Sequence, residues 1–277
     1  MSGPDPNAFV AVMLPALRQA AAITRALEGR VVNRPKEREV TPTKAALTIA
    51  DTASQEALLV ALFEHFPYVQ LEAEEDTPTA HRFPAQAPAR VVIDPVDGTL
   101  HSYLEGRGPY AIMVGLAVDG RFEASLVALP REGLFFDAVR GEGARAGRAG
   151  GVSRAARPVG PDAGRRVIVS HELPEPARAR LRARGYEIVF GAGGAIAVAP
   201  LVPGVRAGLR VAPPGGVLSS RGRIGAMIAA EAGAVVRSAR SKALPEDLAA
   251  PVRALLVATD ESDMDALEDA LEAIEPA

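Results

Sequence analysis

The stretch Asp94-Pro95-Val96-Asp97-Gly98-Thr99 is the most informative part of the sequence, because it places two carboxylates directly after the apolar run Val91-Val92-Ile93. A compact apolar run that ends in Asp-Pro predicts a buried strand followed by a stiff turn. The two carboxylates and the carbonyl of Val96 offer oxygen ligands, which hard divalent cations prefer. Gly98 lets the backbone approach a ligand closely, and a helix that begins at Thr99 would direct amide groups at an anion. The stretch therefore predicts a metal site beside a phosphate site.

Each acidic segment also has a plainer interpretation. Asp, Pro and Gly all favour turns, so Asp94 to Thr99 could be only a turn after a strand. The pair Glu74-Glu75 could be a solvated charge run, and Asp51 could be only a helix N-cap. The prediction of a metal and phosphate site therefore depends on the order and spacing of the three segments together.

Composition narrows the function classes. The chain has 277 residues, a formal net charge of -3 and no cysteine, which excludes disulfides, thiolate ligands and a cysteine nucleophile. The charge gives no reason to expect nucleic acid or an anionic membrane as a partner. No apolar run approaches the roughly 18 residues of a membrane span, and the acidic start MSGPDPNAF does not resemble a secretory signal. A cytoplasmic protein is the expectation.

Two halves are predicted. Residues 1–150 form an α+β half that carries the metal and phosphate motifs, and residues 151–277 form an α/β half that completes the substrate cleft. In the first half, apolar residues at helical spacing predict a helix from about Asn7 to Leu27 and a second helix after Asp51. Alternating segments between Tyr110 and Phe136 predict an antiparallel meander. The fold class is therefore α/β, with an α+β first half.

The second half alternates strands with helices, which is typical of an α/β arrangement. The predicted strands are Arg166–Ser170, Glu187–Phe190, Ala234–Val236 and Ala254–Ala258. The predicted helices are Pro174–Arg184, Ala192–Val202, Gly222–Gly233 and Asp263–Ile274.

With these motifs the sequence resembles the inositol monophosphatase family, within the magnesium-dependent, lithium-sensitive phosphatases. Thr48-Ile49-Ala50-Asp51 matches a Thr-x-x-Asp segment of that family, and Ala73-Glu74-Glu75 stands where the family has Gly-Glu-Glu. The family's Asp-Pro-Ile/Val-Asp-Gly-Thr is matched in full by Asp94 to Thr99. Near the other end, Glu231-Ala232-Gly233 is similar to Glu-Ala-Gly-Gly. The resemblance is strong to about Ala144 and weaker beyond.

The resemblance implies a layered αβαβα fold of the sugar-phosphatase type and a homodimer. It implies a first Mg²⁺ held by Glu74, Asp94 and the Val96 carbonyl. It also implies a water activated by Glu74 and Thr99, with Asp51 orienting the threonine hydroxyl. Hydrolysis of a small phosphate monoester is the implied reaction.

The same comparison predicts a second set of contacts around Asp97. In the family this aspartate helps to hold a second metal ion, so Asp97 is a further predicted metal ligand. The residues predicted to contact substrate are Asp97, Gly98, Thr99 and Arg221.

The second half departs from the family where a ligand is needed. An aspartate of the family lies ten to eleven residues before the Glu of Glu-Ala-Gly, but that position here is Ser220-Arg221. No acidic residue lies between Glu187 and Glu231 to replace it. A second family aspartate is replaced by Arg206.

Arg221 has three interpretations, since a guanidinium cannot ligate a metal. It could be a surface arginine, it could pair with Asp97 or Asp94 in place of a second cation, or it could contact the substrate phosphate. His101 is either a bystander or a substrate contact. Two functions follow: a Mg²⁺-dependent phosphatase, or a catalytically impaired relative that binds a phosphorylated ligand or a partner.

Overall fold

The computed structural model describes residues 3–37, 39, 41–160 and 164–274. The α-helices are α1 (Pro6–Leu27), α2 (Pro42–Ala45), α3 (Ile49–His65), α4 (Glu175–Ala183), α5 (Gly193–Ala197), α6 (Ile224–Glu231) and α7 (Glu261–Glu272). The strands are β1 (Gln70–Glu72), β2 (Ala89–Asp97), β3 (Ala111–Val118), β4 (Arg121–Leu129), β5 (Leu134–Val139), β6 (Gly143–Arg148), β7 (Arg154–Ala155), β8 (Arg166–Val169), β9 (Glu187–Phe190), β10 (Val205–Val211), β11 (Val235–Ala239), β12 (Lys242–Ala243) and β13 (Ala254–Ala258). Short 3-10 turns cover Ala80–Arg82, Ala199–Leu201 and Ser220–Arg223, and a π-helical turn covers Thr99–Leu104.

Helices and sheets alternate in five layers. Helices α1 and α3 pack on each other and on one face of the sheet β1 to β7. Helices α5 and α6 fill the space between this sheet and the second one, whose strand order is β12-β11-β13-β10-β8-β9. Helices α4 and α7 cover the outer face of the second sheet. The αβαβα layering and the mixed α/β class predicted from the sequence are confirmed.

Helix α1 has the length and mean hydropathy, 1.2, of a helix that could cross a membrane. Its apolar residues are nevertheless buried in the protein core, with Phe9, Met13 and Leu17 each at 0% exposure. The end of the helix also accepts hydrogen bonds from two tyrosines, since the hydroxyls of Tyr103 and Tyr110 both bond to Thr24. These contacts are those of a core helix that supports the π-helical turn.

The first sheet carries a β-bulge within the decisive stretch. Strand β2 runs parallel to β1 and antiparallel to β3. Asp94 pairs with Met113 and Asp97 with Ala111, so three steps along β2 match two steps along β3. A bulge re-aims side chains that would otherwise alternate between the faces of a sheet. Asp94 and Asp97 can therefore serve one site although they are an odd number of residues apart.

A second bulge lies in β10, a strand that we did not predict from the sequence. Val205 pairs with Arg166 and Ala207 with Val167, which leaves Arg206 as the extra residue. Farther along, Gly208 packs against α5, where an added Cβ would lie 2.2 Å from the Ile196 carbonyl oxygen. This close approach brings β10 against the short helix that faces the bulge of β2.

The second predicted helix begins earlier than expected. Helix α3 starts at Ile49, after Thr48 as N-cap, and Asp51 is its third residue in a capping box. The N-cap interpretation of Asp51 is therefore wrong, since the cap is Thr48. The predicted helix Ala192–Val202 is split into α5 and a 3-10 turn. The division of the chain near residue 150 stays a prediction.

Candidate active site

Asp51 positions the hydroxyl of Thr99. The backbone amide and hydroxyl of Thr48 donate to Asp51 Oδ2 at 2.8 and 2.7 Å, and Thr99 Oγ1 lies 2.8 Å from Asp51 Oδ1. Thr99 Oγ1 is also 2.8 Å from the Val96 carbonyl oxygen. Burial raises the pKa of Asp51, although the hydrogen bonds from Thr48 and Thr99 oppose that effect. The beginning of α3 thus fixes a side chain 48 residues away.

Asp94 is a buried carboxylate with an oxygen left free. The residue is 5% exposed, and within the described chain its Oδ1 atom has no hydrogen-bond partner. Burial raises the pKa of Asp94 well above its ordinary value, and the neighbouring carboxylates of Glu74 and Asp97 raise it further. A buried carboxylate oxygen that faces other carboxylates is costly unless a proton or a cation lies beside it. This is the chemical environment of a cation site.

Position 98 can hold only a residue without a side chain. Its φ is +89°, in the left-handed region, and an added Cβ would lie 2.6 Å from the Cβ of Ala192. The Gly98 carbonyl accepts hydrogen bonds from the amides of Ser102 and Tyr103, both at 3.0 Å. The helix expected at Thr99 is therefore a π-helical turn, which joins the bulge of β2 to the wall of the site.

Asp97 connects the two parts of the molecule. The backbone amide of Gly194 in α5 donates to Asp97 Oδ2, across 97 residues of sequence. Burial raises the pKa of Asp97, while the nearby Arg210 and the Gly194 bond act in the opposite direction. Helix α5 thus lies against the Asp97 carboxylate.

Arg221 lies in the site but has a different partner from the one predicted. Its Nη1 atom is 3.0 Å from Oε2 of Glu74, and each side chain keeps 26% of its surface exposed. Of the three interpretations, pairing with Asp97 or Asp94 is not what the structure shows, although the charge of Arg221 opposes the burial that raises the pKa of both carboxylates. The 3-10 turn Ser220–Arg223 packs against the end of β2 and carries the guanidinium to Glu74 instead. The other replacement, Arg206, lies elsewhere and binds Asp260 and Asp263 of the α7 region.

Glu75, next to Glu74, belongs to a separate pair that sequence reasoning missed. Lys36 Nζ lies 2.7 Å from Oε1 of Glu75 and 3.7 Å from Oε1 of Glu74. The side chain of Gln55 holds the Glu75 backbone through both its amide and its carbonyl. Burial raises the pKa of Glu75 to about 7, against the opposing effect of Lys36. Only Glu74 is left to face Asp94 and Arg221.

Sequence reasoning also missed Arg210. The strand β10 places its guanidinium beside Gly193, where an added Cβ would lie 1.9 Å from Nη1. An alternation of apolar residues in Val205, Ala207, Leu209 and Val211 is the pattern that could have identified this strand. His101, by contrast, contacts Glu105 through Nδ1 at 2.9 Å, and its ring lies 4.8 Å from that of His171. Its role toward substrate stays a prediction.

The donor set fits one divalent cation better than two. Within residues 3–37, 39, 41–160 and 164–274, no three His, Cys, Asp or Glu side chains converge as a ready-made metal ligand group. Glu74, Asp94 and the Val96 carbonyl nevertheless offer oxygen ligands, and Oδ1 of Asp94 is free. A second ion beside Asp97 would need another carboxylate, and the charges nearest Asp97 from the later part of the described chain are the arginines Arg210 and Arg221. The chemistry of the residues therefore fits a first ion and not a second.

The five-layered fold, with buried carboxylates at a β-bulge and a threonine held by aspartate, defines a scaffold of the phosphatase class. The model of the Inositol monophosphatase family matches residues 7–172, more than half of the chain, and the chain belongs to that family. The matched range contains Asp51, Glu74 and the Asp94–Thr99 stretch, while Arg210 and Arg221 lie beyond it.

Two sequence relatives match over shorter segments. The Nus factor SuhB of Pasteurella multocida is 31% identical over 103 residues, which cover 37% of this chain and 37% of that protein. A histidinol-phosphatase of Chlorobaculum parvum is 32% identical over 98 residues, which cover 35% of this chain and 36% of that protein. The matched segments thus span little more than a third of these relatives.

Solved structures match over nearly the whole chain. The IMPase of Thermotoga maritima has a TM-score of 0.73 at 18% identity, covering 94% of this chain and 96% of the other. An IMPase/NADP phosphatase in complex with NADP and Ca²⁺ has a TM-score of 0.69 at 18% identity, covering 97% of this chain and 97% of the other. Structural likeness at this identity establishes the fold. Family membership supports phosphatase activity in general and dependence on a metal ion.

Proposed function

We propose that the protein hydrolyses a small phosphate monoester with one bound Mg²⁺. The observation that supports this proposal most directly is the buried Oδ1 of Asp94, which has no hydrogen-bond partner among the described residues and lies near Glu74. The hydrogen bond between Thr99 and Asp51 completes the arrangement. Glu74, Asp94 and the Val96 carbonyl would hold the ion. When bound, it would supply a Lewis acid for the phosphoryl oxygens and neutralise the two carboxylates.

Formal charges around the site favour a single ion. The carboxylates are Asp51, Glu74, Glu75, Asp94 and Asp97, and the cationic side chains among them are Lys36, Arg210 and Arg221. With every group ionised, the excess is two negative charges, which one divalent cation would neutralise. A second divalent cation would leave the same excess with the opposite sign.

The Thr99 hydroxyl orients the attacking water in this proposal. When Thr99 donates its one proton to Asp51 Oδ1, the lone pairs of Oγ1 are left to accept a hydrogen bond from water. The Glu74 carboxylate is the group that accepts the proton from that water, acting as a general base. Asp51 therefore acts through Thr99 and does not touch the reacting atoms.

Arg221 would stabilise the negative charge on the phosphoryl group. A fixed guanidinium beside the reacting atoms can lower the energy of a charged transition state. A guanidinium carries one positive charge instead of two, and it donates hydrogen bonds but does not coordinate oxygen as a Lewis acid. It would therefore polarise the leaving oxygen less strongly than a metal ion does. We therefore expect slow turnover.

The test is phosphate release from a panel of sugar, polyol and nucleotide phosphates in the presence of Mg²⁺. Glu74→Gln should abolish release, while Glu187→Gln, at an exposed position on β9, serves as a matched control. Release by the wild type that does not exceed release by Glu74→Gln would refute the proposal.

A second function is favoured by the Arg221–Glu74 ion pair, because it satisfies Glu74 without any metal ion. In this alternative the protein binds a phosphorylated ligand or a partner through the same cleft and does not turn it over. Calorimetric binding of a phosphate ester without any release of phosphate would support it, and rapid turnover would exclude it.

Family membership also leads us to propose a homodimer and a cytoplasmic location. Light scattering coupled to size-exclusion chromatography would test the oligomeric state, and a single mass near the monomer's 28.8 kDa would contradict a homodimer.

A further inference from the structure

Among the residues that the structure describes, the Arg210 guanidinium lies near Asp97 but forms no ion pair or hydrogen bond with it. Arg210 lies on β10, opposite Leu255 of β13, and its side chain extends toward α5. An added Cβ at Gly193 would lie 1.9 Å from Arg210 Nη1, and one at Gly222 would lie 3.4 Å from the same atom. Two glycines thus leave the space that the guanidinium fills.

The other two cations of the site are already engaged. Lys36 pairs with Glu75 at 2.7 Å, and Arg221 pairs with Glu74 at 3.0 Å. Arg210, within the residues that the structure describes, makes no ion pair within 4.0 Å and no side-chain hydrogen bond. A half-buried guanidinium that lies beside Asp97 without a hydrogen-bond acceptor can bind an anion, since all five of its N–H groups are donors.

Arg210 and Arg221 flank different parts of the cleft. The position of a Cβ at Gly193 is 3.4 Å from Asp97 Oδ2, so the Arg210 guanidinium lies on the Asp97 side. Arg221 pairs with Glu74, the carboxylate beside the free oxygen of Asp94, whereas Arg210 makes no such pair and lies nearest Asp97. In the proposed hydrolysis the reacting phosphoryl group lies on the Glu74 side, so an anion at Arg210 would be a different group.

We propose that Arg210 binds a second anionic group of the ligand, a carboxylate or another phosphate on the alcohol part of the ester. This substrate class rests on the proposed phosphatase function, but Arg210 would select the same ligands if the protein only binds them. A neutral polyol phosphate offers Arg210 only hydroxyl acceptors, which form weaker hydrogen bonds than an ionised group does.

A matched pair of ligands tests the proposal. Glycerol 3-phosphate and 3-phosphoglycerate have the same carbon skeleton and differ at the end remote from phosphate, where one has a hydroxymethyl group and the other a carboxylate. Calorimetric Kd values in the presence of Ca²⁺, which takes the same oxygen ligands as Mg²⁺ in a looser geometry, give a readout that does not depend on turnover. Wild type should bind 3-phosphoglycerate about tenfold more tightly, as expected for one charge-assisted hydrogen bond.

Variants assign the preference to Arg210. In Arg210→Gln the ratio of the two Kd values should approach one, and in Arg210→Glu it should invert. Gly193→Ala changes no charge, but its Cβ would displace the flexible guanidinium, so the ratio should also fall. Arg240→Gln, which removes an exposed arginine with 63% of its side chain accessible, controls for the change in net charge and should keep the wild-type ratio.

Two results would overturn the proposal: a wild-type ratio near one, or equal weakening of both ligands by Arg210→Gln, which would place Arg210 on the reacting phosphate. Circular dichroism of each variant separates loss of folding from loss of binding. Absence of turnover with the Kd ratio intact would refute the proposed hydrolysis and leave the assignment of Arg210 supported.

Discussion

Replacing Arg221 by glutamine should tighten the binding of Mg²⁺. Arg221 and Glu74 form an ion pair at 3.0 Å, and a metal ion must weaken this pair when it takes the Glu74 carboxylate. At an effective dielectric constant of about 20, two unit charges about 4 Å apart attract each other by about 4 kcal/mol. Both side chains are 26% exposed, so solvent screening and side-chain entropy reduce the net contribution to about 1 kcal/mol.

A gain of about 1 kcal/mol corresponds to roughly fivefold tighter Mg²⁺ binding for Arg221→Gln. Arg221→Asp should gain at least about tenfold, because it removes the competing cation and adds an oxygen ligand. If activity had been limited by the missing ligand, phosphate release by Arg221→Asp should also rise.

The assay is a calorimetric titration of Mg²⁺ into each purified variant, with phosphate release measured in parallel. Arg221→Lys keeps the positive charge and should stay within about twofold of wild type, since the competing ion pair survives. A Kd for Mg²⁺ that is unchanged or weaker in Arg221→Gln would show that the ion pair does not compete with the metal ion, and the reasoning would be wrong.

Three further predictions concern turnover and stability. Thr99→Ala should lower phosphate release by about 100-fold, because the hydroxyl that Asp51 holds no longer orients water. Asp263→Asn should lower the free energy of unfolding at neutral pH by about 3 kcal/mol, measured with urea, because it leaves the Arg206 guanidinium incompletely paired. Burial alone would raise the pKa of Asp263, but the hydrogen bonds from Arg206 and its other donors hold this pKa below the ordinary 3.8. The wild type should therefore lose stability as the pH falls below about 4. Asp263→Asn should lack that loss. Gly108→Ala should cost more than about 3 kcal/mol, since φ is +85° and the added Cβ would lie 1.7 Å from the Phe190 carbonyl oxygen.

Each of these predictions has a control in the chain. Thr99→Ser keeps the hydroxyl and should retain most activity; equal losses in both variants would assign a packing role to the threonine methyl. Asp260→Asn removes a half-exposed partner of Arg206 and should cost less than Asp263→Asn. Gly106→Ala, at φ +71° in open space, should cost only about 1 kcal/mol, and a cost equal to that of Gly108→Ala would contradict the steric argument.

The sequence predicted the parts of the site that depend on local physics. Val91 to Thr99 forms a buried strand and turn because an apolar run followed by Asp-Pro leaves few alternatives. The helix around Asp51 was also predicted from its apolar periodicity, although it begins at Ile49 after the Thr48 cap and not after Asp51. The antiparallel meander is confirmed for the same reason, since neighbouring strands pair through short turns.

The cations around the carboxylates could not be predicted in this way. The partner of Arg221 depends on how the turn Ser220–Arg223 packs against β2, more than a hundred residues earlier in the chain. Lys36 lies in an irregular segment whose position no periodicity encodes. Arg210 was overlooked because Arg and Gly interrupt β10, although the apolar residues between them alternate. Tertiary packing, not local preference, decides which charges meet.

The bulge in β10 makes the orientation of Arg210 independent of the presence of Arg206 on the same strand. Deleting a residue from a regular strand turns every later side chain to the opposite face. Arg206, however, is the residue that β10 has in excess over β8, and the pairing from Ala207 to Leu209 is already regular. Removing Arg206 would cost the ion pair to Asp263 and yet leave the Arg210 side chain directed toward α5. The strand could therefore lose its extra residue without changing the face on which Arg210 lies.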